Sequence, residues 1–342
     1  MRSVMVSNLT RAFLWAVLSF SLEAQRQSLD YLNHSRPVLD AHNCYPYDGR
    51  WADRIDRALG TGFPVSIEQD LAWYVDPATG KGRAVVTHSA KTNGSEPTLR
   101  EYFFERVRSI VERALRENRQ DQWPLIILHF DFKDNQAPLL RAVWNLLGDY
   151  ESWIITAPKT ADPSALASFD SKPLLVVTED SDLQENVFFR EIPVGGRLRL
   201  FGSAHTNPIP AETQEEREHL LATLPLEKLL TEHPTNYRRW WNNSWYAVEE
   251  GGQTKAGAWT SGKANRLRAF VDRAHSLGYW IRFYTLDGFM PPDSLGWDNN
   301  YNFGSLDSVR VRWRAALEAG VDFIATDQYE DLAAFMHEKG YK

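Results

Sequence analysis

The sequence predicts an α/β fold, a single TIM-like (β/α)8 barrel with room for irregular elements. Three observations carry that prediction. Eight short apolar runs of β character recur along the 342 residues, and stretches of helical periodicity separate them. No internal repeat of roughly 20–50 residues and no Gly/Ser linker marks a domain border. Eight strands alternating with helices is the pattern that closes a parallel barrel.

The strand candidates cover residues 37–42, 64–71, 124–132, 174–177, 197–201, 237–246, 279–285 and 321–326. Ile154 and Ile155 form a ninth, weaker candidate. Helical spacing of apolar residues marks 50–59, 99–116, 137–147, 262–277 and 305–319, each with one face to bury. The last unit is well formed, because Gly320 closes a helix and the buried run 321–325 follows. An open doubly wound sheet is the alternative fold. It calls for a Gly-rich phosphate turn after the first strand. Here Leu39-Asp40-Ala41-His42 is followed by Asn43-Cys44-Tyr45-Pro46, so that fingerprint is absent.

A chain 43% hydrophobic and 13% aromatic is too apolar for disorder. Its 38 basic and 45 acidic residues give a net charge of −7 without a Lys/Arg cluster. That balance argues against a nucleic-acid partner and allows at most transient contact with a membrane surface. It does not exclude a small anionic substrate, and no protein partner is expected. Residues 1–24 read as a signal peptide, with Arg2 and Arg11 ahead of an apolar run over 12–22. That run is too short to span about 30 Å of hydrocarbon. The expected product is a barrel domain over 25–342, secreted or periplasmic. Cys44 is the only cysteine, so no intramolecular disulfide forms.

Catalytic groups of such barrels sit at the C-terminal ends of the strands. Strand one ends in His42-Asn43 and strand two in Glu68-Gln69-Asp70, where the two-residue period places Glu68 and Asp70 on one face. A hairpin-like segment then delivers His88. Strand three puts His129, Asp131 and Lys133 on one face. Carboxylates converging inside a barrel are costly unless paired. A hard divalent cation, Ca²⁺ or Mg²⁺, with oxygen ligands explains Glu68, Asp70 and Asp131 together. Two flanking histidines that titrate near neutrality supply proton transfer for phosphodiester cleavage.

With those residues in place the sequence resembles the phospholipase-C-like phosphodiesterases. Its ordered set is His42, Glu68-Gln69-Asp70, His88 and Asp131-Phe132-Lys133, with a closing Gly320-Val321-Asp322-Phe323-Ile324-Ala325-Thr326-Asp327. These are similar to the elements of glycerophosphodiester phosphodiesterases. His42-Asn43 is more similar to the calcium-dependent phosphatidylinositol-specific phospholipases C, whose Asn binds the metal. The resemblance implies His42 and His88 as the acid/base pair and Asn43, Glu68, Asp70 and Asp131 as metal ligands. It implies a small-molecule or lipid phosphodiester as substrate, a glycerophosphodiester or a phospholipid headgroup. Two positions depart from the glycerophosphodiesterase pattern: Asn43 replaces an Arg, and Asp131 replaces a Glu. Lys133, Glu179, Trp245 and Tyr284 are expected to shape the substrate pocket. The rival readings are a glycoside hydrolase, which leaves the histidines without a role, and an inactive lipid- or glycan-binding barrel.

Overall fold

The computed structural model describes residues 37–46, 52–290 and 301–341. The signal-peptide reading lies outside the described residues. Eight strands form the barrel: β1 Val38–Ala41, β2 Val65–Val75, β3 Ile126–Phe132, β4 Leu174–Thr178, β5 Phe201–Ser203, β6 Arg238–Ser244, β7 Trp280–Tyr284 and β8 Phe323–Thr326. Each runs parallel to its neighbours. β1 pairs with both β8 (Val38↔Phe323) and β2 (Leu39↔Val65), which closes the ring.

The helical periods fall between the strands as expected: Arg54–Gly60, Glu105–Glu117, Ala137–Asp149, Ser261–Leu277 and Leu306–Ala319. Gly320 ends the last of these in a left-handed conformation at φ 81°, and its N–H caps the carbonyls of Ala316 and Leu317. That turn sends the chain directly into β8.

Three strand readings need correction. The run 197–201 splits: Arg197–Leu198 pairs antiparallel with Ala157–Pro158, and the barrel strand begins only at Phe201. The run 237–246 is too long, because Ser244 caps a tight turn over Trp245–Ala247. The ninth candidate is not a barrel strand, since Ile154 makes one isolated bridge to Leu174. β2 also outgrows the barrel. Its last residues pair antiparallel with Gly82–Val86 from Leu71↔Val86 to Val75↔Gly82, forming a hairpin above the mouth.

The core is aromatic, with Trp240, Trp241, Trp245, Trp280 and Trp313 all fully buried. Each such side chain contributes about 1.5–3 kcal/mol or more on burial. This apolar body offsets the cost of the charges held inside the bore. Arg282 on β7 reaches Asp40 on β1 and Glu68 on β2. β8 lies between β7 and β1, and β8 and β1 lie between β7 and β2, so these side chains meet inside the ring and the positions point inward. The two-residue period then aims His42, Asp70 and Tyr284 the same way. Among the described residues no helix is long and apolar enough to cross a membrane.

Candidate active site

A cavity of about 330 Å³ opens at the C-terminal ends of the strands. Of the residues singled out in the sequence, His42, Asn43, Glu68, His88, Asp131, Lys133, Glu179 and Tyr284 line it. Asp70 lies beneath, fully buried.

Glu68, Asp70 and Asp131 form one group, with a carboxylate oxygen from each lying within 4.8 Å of the others. The β2–β3 register produces this by setting Asp70 beside Asp131. Apart from its ion pair with Lys133, Asp70 accepts no hydrogen bond. The Lys133 ammonium lies 3.0 Å from Asp70 and 2.7 Å from Asp131. Burial and the adjacent Glu68 charge push the Asp70 carboxyl well above its ordinary range. Burial works the same way on Glu68, but the His42 and Arg282 cations hold it well below that range. An isolated buried carboxylate is costly. Two further carboxylates beside the buried Asp70, giving three hard oxygen donors with one ammonium among them, fit a divalent cation such as Ca²⁺ or Mg²⁺.

Asn43 stands at φ 51° immediately after β1. Its amide donates to both Asp327 oxygens, at 3.0 and 3.1 Å, and its carbonyl oxygen accepts the Tyr45 hydroxyl at 2.7 Å. The atom a cation would need is therefore turned to Tyr45. In this arrangement Asn43 buttresses Asp327 while lining the same cavity as Glu68 and Asp131.

His42 donates from Nδ1 to Asp327 at 2.8 Å and keeps Nε2 3.9 Å from Glu68. Burial alone would lower its pKa, but the Glu68 and Asp327 charges raise it to about 10. The Asp–His arrangement fixes the ring and presents Nε2, a geometry that Asp-oriented catalytic histidines also use. His88 reaches the cavity from beyond the hairpin and stacks on Tyr45, with ring centroids 5.7 Å apart. Burial and the Lys133 charge lower its pKa.

A second polar layer supports the first. Arg282 ion-pairs with Asp40 and with Glu68 (2.5 Å), and donates to Asn242 at 3.1 Å. Asn242 donates to both oxygens of Glu179 at 2.9 Å. His129 donates to Glu179 at 2.7 Å. Burial and Arg282 oppose the charged form of His129, yet its bond to Glu179 and the nearby Glu68 carboxylate, 3.4 Å from Nδ1, raise it to about 9. Tyr284 stacks 6.1 Å from His42, and Tyr301 meets the same ring edge-on at 6.2 Å.

Trp245 is a correction. It is fully buried outside the cavity, donating to Glu249 at 2.8 Å and stacking on Trp259. The strand has ended by then, so its ring turns into the outer core. Sequence reasoning missed Asp40, Arg282, Asp327 and Tyr301 as site residues. A signal existed for Arg282, a charge on the Tyr284 face of an otherwise apolar run.

No protein-family model and no curated protein matches the chain. Solved structures do. A glycerophosphoryl diester phosphodiesterase from Parabacteroides distasonis is 12% identical at a TM-score of 0.39, over 89% of this chain and 87% of that one. A calcium-dependent phosphoinositol-specific phospholipase C from Pseudomonas sp. is 12% identical at 0.40, over 86% and 89%. The HPPK-DHPS protein of Plasmodium falciparum is 9% identical at 0.42, over 90% and 48%. These are likenesses of chain path at low identity; the chemistry of the site rests on its own residues, and the closed (β/α)8 barrel on its own strand pairing.

Proposed function

We propose that this chain is an exported, metal-dependent phosphoric diester hydrolase acting on glycerophosphodiesters or phospholipid headgroups. One observation carries the reading. Glu68, the half-buried Asp131 and, beneath them, Asp70 converge at a cavity that holds His42 and His88, with the Lys133 ammonium as the counter-charge of Asp70. The volume, about 330 Å³, lies at the small end of ligand sites. It suits a headgroup or a glycerophosphodiester and leaves acyl chains outside.

Glu68, Asp70 and Asp131 would hold the divalent cation. Bound there, it offsets the carboxylate charge, stabilises the phosphoryl oxygens and acidifies the attacking oxygen. His42, fixed by Asp327, takes the proton of the nucleophile at Nε2. His88, in its protonated form, supplies one to the leaving oxygen; its lowered pKa makes that form the readier proton donor. Lys133 and Arg282 bring positive charge to the phosphate side of the cavity. The glycoside-hydrolase alternative gives neither the His42–Asp327 pair nor His88 any task.

The test is hydrolysis of bis(p-nitrophenyl) phosphate and of glycerophosphocholine, before and after exhaustive chelation and with Ca²⁺ or Mg²⁺ restored. Turnover should vanish on chelation and return with one of the ions. Undiminished turnover after chelation would remove the metal from the reading. No turnover on either diester under any condition would favour the inactive barrel.

A further inference from the structure

Lys133 stands two residues beyond Asp131 on the face that bears the carboxylates. Its ammonium is 2.7 Å from Asp131 Oδ2 and 3.0 Å from Asp70 Oδ2. Both belong to the group whose oxygens converge within 4.8 Å. Asp70 is fully buried and, the lysine apart, accepts no hydrogen bond on either oxygen. The lysine is thus a tethered cation seated on the very oxygens that a divalent ion requires.

Both cations cannot keep those oxygens. Sharing them would place an ammonium within a few ångströms of a doubly charged ion, where repulsion in a half-buried site is strong. The side chain has somewhere to go. It is 18% exposed and borders the cavity that also holds His88, and its four-carbon stem swings freely. An ammonium released there is a compact point charge suited to a phosphate oxygen.

We propose that Lys133 is a built-in counter-cation of the carboxylate site, which leaves Asp70 and Asp131 when a divalent ion binds and is thereby delivered to the substrate phosphate. The inference rests on the metal-dependent reading above. It makes ion and substrate binding mutually reinforcing, because each favours the same lysine position.

Two measurements on the full chain test it. Calorimetric titration with Mg²⁺ and with Ca²⁺ compares wild type with Lys133→Gln. The variant should bind roughly tenfold tighter, the effect of removing one competing charge of ordinary strength. Acylation of wild-type lysines by a small activated ester, read peptide by peptide in a mass spectrometer, follows the side chain itself. Labelling of Lys133 should rise severalfold with Mg²⁺, while the exposed Lys255 stays constant. This second arm needs no variant to fold.

Ion binding with unchanged Lys133 labelling overturns the proposal alone, since the lysine then repels the ion without moving. Equal affinities of wild type and Lys133→Gln also overturn it. No binding of either ion at millimolar concentration removes the metal from the proposed function, and this inference falls with it.

Discussion

His42 and His88 face one cavity under opposite electrostatic influences. Against the lowering effect of burial, Glu68 and Asp327 raise His42 to about 10. Burial and Lys133 lower His88. A divalent ion on Glu68 would offset one of the two carboxylate charges that hold the His42 proton, so metal binding favours His42 acting as a base. The leaving-group role proposed for His88 has a kinetic signature. General acid catalysis is worth about 10²–10⁴-fold, so His88→Ala should lower kcat by that order for an alkyl diester. The loss should shrink markedly for an aryl diester, whose leaving group departs without a proton. His42→Ala should damage both, because activating the nucleophile matters whatever leaves. Equal losses of His88→Ala on the two substrates would exchange the two labels.

The strands decide which residues meet. Arg282 is 2% exposed and spans the bore from β7 to Asp40 and Glu68. Removing one side of a buried ion pair costs about 3–5 kcal/mol, because it leaves charge uncompensated. Arg282→Met should therefore destabilise the barrel by about that much in urea denaturation. A loss under about 1 kcal/mol would mean that Asp40 and Glu68 do not depend on it. The period-two pattern made Glu68, Asp70, Asp131 and Lys133 readable on their strands, and the hairpin after β2 made His88 readable. Asp327 was not readable as a partner of His42, because only ring closure joins them: Ala41 pairs with Thr326, so the next residues fall side by side. Arg282 was hidden because one charge in an apolar run carries no partner information. Trp245 was misread because a strand was extended through the turn that Ser244 caps.

At the scale of the whole molecule the two ends of the barrel are different materials. The mouth gathers buried carboxylates at some cost to stability. The foot is tied by pairs that serve stability alone. The clearest is His275, in the last turn of the helix Ser261–Leu277, which bonds Asp322 at 2.8 Å just before β8. Asp322 also accepts the Ile281 N–H at 2.8 Å, so the pair fastens helix, β7 and β8 together. Burial works to lower the His275 pKa, but the bond to Asp322 raises it above the ordinary value. The helix C-terminus further favours a cation there. A histidine that binds its proton more tightly when folded stabilises the fold wherever that proton is present. The contribution is complete below the unfolded value, about 6.5, and is lost as pH rises through the folded one. His275→Gln should therefore lower Tm more at pH 6 than at pH 9, relative to wild type at each pH. Comparing the two proteins at each pH cancels the titration of the mouth, which lies at the other end of the barrel. An equal drop at both values would show that His275 acts by packing and not through its charge.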